Sequence, residues 1–304
     1  MSKPSRFHRP ISGILLLDKA LGVSSNAALQ QVRVLFAAAK AGHAGSLDPL
    51  ASGLLPVCFG QATKVCGRLL NSGKTYRVLV QLGARTESGD GETEVIERAA
   101  VPPLEDRTVD DILAGFVGEQ DQIPPMHSAL KFEGKRLYEL ARRGESVERE
   151  PRRIAIHRIA RKRLEGDELE FDVYCSKGTY IRTLAADVAN RLGTVGYVRG
   201  LRRLSLDPFG DLPMYTLEQL TALAPAARDA LLLQADQAFL DLPRVELGAA
   251  AAEGLLQGRT VAAPHSALSG ELRAYDAAGR FLGMVQGAGE GRVRPVRLFV
   301  DVVG

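Results

Sequence analysis

The sequence predicts an α+β protein in two parts: a larger domain on a mixed or antiparallel sheet over residues 1–242 and a small β-domain over 243–304. Three observations carry this. Thr75–Leu82 alternates and is rich in β-branched and aromatic residues, while Arg152–Leu164 and Glu168–Ser176 read as strands joined at Glu165-Gly166-Asp167, the pattern of antiparallel pairing. Apolar residues recur at three- and four-residue spacing in Ser25–Phe36 and Ile181–Leu192, as in helices with one buried face. At Asp241-Leu242-Pro243 an alanine- and leucine-rich stretch gives way to short strands separated by glycine turns.

Taken in order, residues 1–10 are polar and basic and expected to fray. Gly13–Leu17 is a short apolar strand ending at Asp18-Lys19, and Ser25–Phe36 a helix with Leu29, Val32 and Leu35-Phe36 on one face. After a glycine-rich loop come a strand at Leu54–Phe59, a basic amphipathic helix over about Ala62–Leu70 and the strand Thr75–Leu82. Val109–Phe116 reads as a helix, Pro124-Pro125 bars one in Gln122–Leu130, and Leu137–Arg143 is a short basic helix stopped by Gly144. Ile181–Leu192 is stopped by Gly193, and 222–240 is predicted helical. In the tail, a short helix at Ala249–Leu256 precedes strands near Glu271–Tyr275, Phe281–Gln286 and Val296–Val302.

The 304 residues are 45% hydrophobic and 25% charged, the balance of an ordinary globular chain. A net charge of +3 says little about partners, but its distribution does. Residues 131–163 hold twelve Lys or Arg against five acids, and residues 85–111 hold nine acids against three bases, so a positive face for a phosphate backbone is expected. Cys58, Cys66 and Cys175 are widely spaced and include no CxxC pair, which supports neither a disulfide framework nor a zinc site. Cys58 and Cys175 read as core thiols. The N-terminal segment has Lys3, Arg6 and Arg9 but no long apolar stretch, and no run approaches a membrane span. The expectation is a reduced, cytoplasmic protein that needs no metal and no cofactor.

Gly42-His43-Ala44-Gly45-Ser46-Leu47-Asp48-Pro49-Leu50-Ala51-Ser52-Gly53 is the most informative segment. Its glycines suit a tightly bent loop with room for a large ligand. Asp48 before proline fits an N-cap and first helical residue. It equally fits a carboxylate held at the mouth of a pocket for chemistry.

The segment resembles the GHxGxLDPxAxG signature of the TruB family, the bacterial tRNA pseudouridine synthases that modify U55 in the TΨC loop. The resemblance extends over roughly residues 11–215 in separated blocks: Gly13–Lys19 with Gly22 and Ser24-Ser25-Asn26; Leu55-Pro56-Val57 to Ala62-Thr63-Lys64; Lys74-Thr75-Tyr76; Gln122–Lys131; Cys175–Leu184; and Leu201-Arg202-Arg203. It departs at Ala20, where proline is usual, at Ala44 and Ser46, where threonine is frequent, and at His127, where tyrosine is common. Thr86–Gly91 matches TDTxDxxG only in part, and no role is assigned there.

The resemblance implies a pseudouridine synthase catalytic domain followed by a small PUA-like β-barrel that binds RNA. It makes Asp48 the catalytic residue, paired with Arg182; Tyr76 stacks on the target base, and Tyr180 and Leu201 complete the pocket wall. His43 holds the space the flipped base leaves, and Lys19, Lys64 and the 131–163 stretch hold phosphates. The residues alone leave plainer readings open: Arg182 as a surface residue at a helix start, Tyr76 as sheet core, His43 as an exposed loop side chain. The chemistry asks for one carboxylate that attacks covalently, stabilises positive character at C1′ or helps remove a sugar proton, since an isomerase, unlike a glycosidase, has no water to activate. The expected partner is tRNA, through its T-arm, elbow and acceptor side, with no DNA and no membrane, and the chain acting as a monomer. The alternative is a non-catalytic RNA-binding or RNA-folding protein that keeps the pocket.

Overall fold

The computed structural model describes residues 9–128, 130–141, 143–264 and 269–299. The first elements are β1 (Gly13–Lys19) and α1 (Ser25–Leu35), capped by the Ser24 hydroxyl accepting from the Ala27 amide. β2 (Ala41–His43) and β3 (Ala51–Phe59) flank the Asp48 loop, and a 3-10 turn over Gly60–Val65 leads into α2 (Cys66–Leu70). Then come β4 (Lys74–Leu82), the antiparallel pair β5 (Ala84–Thr86) and β6 (Val95–Arg98), α3 (Asp106–Ala114) and β7 (Gly118–Gln122). The short strands β8 (Lys131–Phe132) and β9 (Lys135–Arg136) precede α4 (Leu137–Ala141), the hairpin β10 (Arg152–Glu165) and β11 (Glu168–Cys175), α5 (Ile181–Arg191) and β12 (Gly196–Leu206). After β13 (Tyr215–Thr216), α6 (Leu217–Ala222) and α7 (Pro225–Asp229) come β14 (Arg244–Leu247), α8 (Ala249–Leu256), β15 (Val261–Ala262), β16 (Glu271–Asp276), β17 (Phe281–Gly287) and β18 (Arg292–Leu298). No helix among the described residues is long and apolar enough to cross a membrane.

Nine strands form one mixed sheet in the order β13-β1-β3-β12-β4-β11-β10-β7, with β2 paired to β3. Period-2 geometry explains the two kinds of strand sequence. β1 is apolar from Ile14 to Leu17 because both faces are covered there: Ile14 and Leu16 pack with Leu54, Cys58 and Leu69, while Leu15 and Leu17 pack with Leu29, Val32 and Phe36 of α1 and its cap. β4 alternates because only one face is covered. Lys74, Tyr76, Val78, Val80 and Leu82 point inward, the last four into the cluster that holds Ile181, Leu184 and Val188 of α5. β12 runs between β3 and β4, parallel to one and antiparallel to the other, and places Arg203 opposite both Gly53 and Tyr76.

Several expectations change. No helix follows Asp48; Pro49-Leu50 form a turn closed by the Ala51 amide donating to the Asp48 carbonyl, and β3 begins at once. The N-cap reading therefore fails. The helix over Ala62–Leu70 is a 3-10 turn followed by α2. The helix over 222–240 is α7 and a 3-10 turn at Ala235–Phe239, because Pro225 starts a new helix and holds Ala224 extended. The basic and acidic stretches also pair in part, Arg161 reaching Asp106 and Asp110, while Arg153 reaches Glu119 and Asp121 of β7. The 152–163 strand is thus neutralised in part at Arg153 and Arg161.

In the small domain five strands pair in the order β14-β16-β17-β18-β15, curled beside α8. The path has two ends among the described residues, a curled half-barrel consistent with the PUA-like β-domain expected. The last strand starts earlier than predicted, and 300–302 of that expectation lie outside the described residues. Tyr275, Phe281, Met284 and Phe299 do not stay within this domain. They pack with Val65, Leu69, Phe209 and Phe239 of the first part, and Phe281 sits in ring contact with Phe239, Tyr275 and Phe299. Truncation after Pro243, expected from sequence to leave a folded core unless the parts share an apolar interface, would strip that interface bare. Phe281→Ala is expected to cost about 3 kcal/mol of stability, read by urea unfolding; a loss below about 0.5 kcal/mol would mean the seam contributes little.

Candidate active site

The loop from Ala44 to Leu50 is held at nearly every residue. The Ala44 amide donates to the Pro56 carbonyl at 3.0 Å, and the Gly45 carbonyl accepts from Arg203 Nη2 at 2.9 Å. The buried Ser25 hydroxyl accepts from the Leu47 amide at 2.7 Å and donates to its carbonyl at 2.9 Å. The Leu50 amide donates to Glu92 Oε1 at 3.0 Å. Gly45 has φ +89°, and a Cβ there would lie 3.3 Å from Arg203 Nη1, so glycine suits both backbone and neighbour. Gly53, with φ +95°, would put a Cβ 2.2 Å from the Arg203 carbonyl. Its glycine is what lets β3 close on β12.

Asp48 projects from this loop with its side chain 49% exposed, and its Oδ2 lies 3.2 Å from Arg182 Nη2. Arg182, in the first turn of α5, is buried. Its Nη1 lies 3.4 Å from Oδ2 of Asp90, which is 2% exposed, and donates to the Ser88 carbonyl at 3.0 Å; Nη2 donates to the His127 carbonyl at 2.7 Å. The reading of Arg182 as a surface residue is thus excluded. Asp90 is in turn held by the Ser88 hydroxyl and the Glu92 amide. A guanidinium fixed by two carbonyls and a buried carboxylate presents its remaining face to Asp48 in one orientation.

Behind Asp48 lies a cavity of about 390 Å³, lined by Lys74, Tyr76, Ser128, Tyr180, Arg182, Leu201 and Arg203 among others. Tyr76 is buried, and burial raises its phenol pKa against the opposing effect of Arg203, so the phenol stays neutral. Arg203 is 1% exposed and donates from Nε to the Leu54 carbonyl at 2.6 Å. Buried Gln122 exchanges two hydrogen bonds with the Tyr180 backbone, at 2.8 and 3.1 Å, and so sets the wall residue in place. A second cavity, about 910 Å³, lies on the other side of the Asp48–Arg182 pair and is lined by Glu87, Asp90, Glu92, His127, Ser128 and Tyr138. A mostly apolar groove of about 860 Å³ beside β1, α1 and α6 does not include Asp48; of its two carboxylates, Asp18 and Glu218, Asp18 is paired with Arg202.

The structure therefore gathers Asp48, Tyr76, Tyr180, Arg182 and Leu201 around one cavity. His43 stands apart, half-buried on β2, its Nδ1 without a hydrogen bond to any described residue. Burial, and then the charge of Arg203, lowers its pKa, so the ring is neutral at neutral pH. Lys19 is 1% exposed and donates to the Ala20 and Val23 carbonyls. Lys64 donates to the Leu298 carbonyl at 2.7 Å and lies over the Phe299 ring, at the seam between the two parts. Neither lysine is presented as a surface phosphate clamp. Sequence reasoning missed Asp90, Ser25 and Lys74 as parts of the site. For Lys74 the signal was available: it shares the inward face of β4 with Tyr76.

Comparison with known proteins gives the family and the fold. The model of the TruB family pseudouridylate synthase N-terminal domain matches residues 33–181, that of the tRNA pseudouridylate synthase B C-terminal domain matches 182–239, and that of the pseudouridine synthase II TruB C-terminal region matches 243–299. A tRNA pseudouridine synthase B of Methylobacillus flagellatus is 50% identical over 293 residues, covering 96% of this chain and 97% of its own. That of Nitrosococcus oceani is 46% identical over 308 residues, covering all of both. The chain belongs to the TruB family of pseudouridylate synthases. Its fold is shared with a crystal structure of a Cbf5–Nop10–Gar1 complex, at TM-score 0.72 and 22% identity over 95% of this chain and 85% of that one. It is shared equally with an H/ACA RNP bound to a substrate RNA, at TM-score 0.72 and 21% identity over 99% and 92%.

Two departures from the family pattern now have a physical account. His127 replaces the common tyrosine, but its carbonyl, not its ring, binds Arg182. Thr86–Gly91 contains Asp90, the carboxylate that backs Arg182.

Lys74 gives a test of site electrostatics. Burial, with Arg203 acting in the same direction, lowers its pKa from 10.5 to about 8. Between those values the folded protein binds fewer protons than the unfolded chain, so Lys74's penalty on stability is full below pH 8 and fades as pH rises toward 10.5. Lys74→Met removes the penalty, with a pH-independent offset from the missing bonds to the Leu70 and Ser72 carbonyls. Variant-minus-parent stability is therefore expected to be most positive at neutral pH and to decline through that window. Urea titrations across it read the slope, and a flat difference would show that Lys74 ionises as it does in water.

Proposed function

We propose that this chain isomerises uridine 55 of tRNA to pseudouridine with Asp48 as the essential carboxylate. The observation that carries the reading is a single half-exposed carboxylate, aimed by a buried guanidinium at 3.2 Å, at the mouth of a cavity walled by Tyr76, Tyr180 and Leu201. In the reaction the N1–C1′ bond breaks, C5–C1′ forms, C5 loses its proton and N1 ends protonated. Atoms and electrons balance within the nucleotide, so what is needed is a group that bears charge at the sugar or base and a pocket that keeps the detached base from leaving. Asp48 supplies the first, and the cavity walls supply the second.

On this reading the target nucleotide flips into the cavity. Tyr76 stacks under the base, and neutral His43 occupies the vacated position in the RNA as an uncharged ring. Lys19 and Lys64 act through the field of the site and the seam rather than by direct phosphate contact. Residues 1–242 carry the chemistry and residues 243–304 contact RNA on the acceptor side, the enzyme working as a cytoplasmic monomer on the T-arm and elbow.

Asp48→Asn keeps the shape of the side chain and removes its charge. Tritium release from tRNA containing 5-tritiated uridine is expected to fall below detection with tRNA affinity nearly unchanged, since one carboxylate adds little to a wide phosphate interface. Activity within about tenfold of the parent would sink the assignment. The positive face is tested separately. Arg142, expected from sequence to contribute, lies outside the described residues. Reversing Arg143 and Arg149 to glutamate is expected to flatten the salt dependence of log K by about 0.7–0.9 for each phosphate no longer neutralised. Reversing Arg161, already paired with Asp106 and Asp110, should leave the slope in place. Equal slopes for parent and the Arg143/Arg149 variant in filter binding would turn these arginines away from RNA.

A further inference from the structure

Ser128 lies between β7 and β8, after the Pro124-Pro125 pair. Its backbone is fixed on both sides: the amide donates to the Met126 carbonyl at 2.9 Å, and the carbonyl accepts from the Tyr138 amide at 3.1 Å. The residue is 5% exposed, yet its hydroxyl makes no hydrogen bond with any described residue. Buried hydroxyls are nearly always paired, and one that is not calls for a specific explanation. Here its position supplies one. Ser128 lines both cavities that meet at the Asp48–Arg182 pair. The adjacent His127 carbonyl accepts from Arg182 Nη2, the nitrogen that faces Asp48. The unpaired hydroxyl is thus one residue from the corner where carboxylate and guanidinium meet.

We propose that the Ser128 hydroxyl contacts the substrate directly, donating a hydrogen bond to a carbonyl oxygen of the flipped uracil and keeping that contact while the base turns. This rests on the reading of the chain as a uridine isomerase. Uracil has a near-twofold axis through N3 and C6. A half-turn about it exchanges N1 with C5 and O4 with O2. A donor facing O4 in the bound uridine therefore faces O2 in pseudouridine, and both are carbonyl acceptors. A rotatable hydroxyl can serve bound uridine, detached base and product without moving its own backbone. No proton is transferred and no bond to Ser128 forms. The contact matters most once the glycosidic bond is broken, when little else restrains the base, so it acts on the rate of bound substrate rather than on tRNA affinity.

The experiment uses the full chain and tRNA transcripts carrying either uridine or 4-thiouridine at the target position, whose sulfur is a poor acceptor. Single-turnover isomerisation is read by nucleoside chromatography and affinity by filter binding. With uridine, Ser128→Ala is expected to slow the saturating rate on the order of tenfold while the tRNA Kd stays within about twofold, which also shows that the variant is folded. With 4-thiouridine the parent is itself expected to be slow, and Ser128→Ala to add little, because variant and analogue remove the same bond. A Ser128→Ala rate on uridine within about twofold of the parent overturns the proposal. So does an equal further loss on both substrates, which would mark a structural role. A parent inactive on uridine overturns the isomerase reading, and this proposal with it.

Discussion

The Arg182 guanidinium lies between two carboxylates, one buried and one at the cavity mouth, and much of the surrounding structure holds it in place. A buried cation is costly unless its charge and its N–H groups are all answered. Asp90 answers the charge, and the Ser88 and His127 carbonyls take N–H groups on the inner side. These partners come from two segments far apart in sequence, and Arg182 itself from a third, α5. The ion pair with Asp48 is therefore the outer end of a network that is already satisfied inside. Glu92 closes the circuit: it follows Asp90 by two residues and receives the Leu50 amide, so one segment orients both the guanidinium and the loop that carries its partner.

The same corner concentrates positive charge. Lys19, Lys74, Arg182 and Arg203 are all buried around the Asp48 loop. Lys19 is lowered by burial first, with Asp48 opposing, and Lys74 by burial with Arg203 adding to it. Charges in such a place are screened less by salt than surface arginines are. A net charge of +3 and the paired arginines of β10 both understate how positive the pocket floor is. That positive field surrounds Asp48, whose carboxylate is met directly by Arg182.

The sequence made the helices Ser25–Phe36 and Ile181–Leu192 and the β4, β10 and β11 strands legible because each has one buried face and a clean period. It made Asp48, Tyr76, Tyr180, Arg182 and Leu201 legible only through the resemblance, since their spacing carries no meaning until β3, β4, β12 and α5 bring them together. What stayed hidden was hidden for physical reasons. A lysine is read as a surface charge, so Lys19, folded back onto two carbonyls, and Lys64, turned to the Leu298 carbonyl, were given to phosphates. Charge runs were summed along the chain, whereas Arg161 finds Asp106 and Asp110 across space. Asp90 was one acid among nine in an acidic stretch, and only its burial distinguishes it. The Asp48-Pro49 pair has the form of a helix start, but the pairing of Ala51 and Ser52 with Leu201 and Arg202 of β12 requires extended chain from Ala51 onward and overrides it.

The seam between the two parts decides how the molecule can hold a folded RNA. Lys64 donates to the Leu298 carbonyl while Arg297 donates back to the Lys64 carbonyl at 3.0 Å, and beneath them Phe239, Phe281 and Phe299 form a ring cluster. A flexibly tethered RNA-binding module would leave this surface polar and thin. An aromatic core of shared side chains instead fixes β18, with Arg294 exposed on it, in a constant relation to the Asp48 cavity. Any two phosphate-binding regions held at a fixed spacing would discriminate by the shape of an RNA, because a ligand whose phosphates are wrongly spaced can engage only one region at a time. On the proposed function, rigidity at the seam and rigidity of the Asp48 loop would serve one end: the first would select which nucleotide arrives, and the second would fix where its sugar stands relative to Asp48.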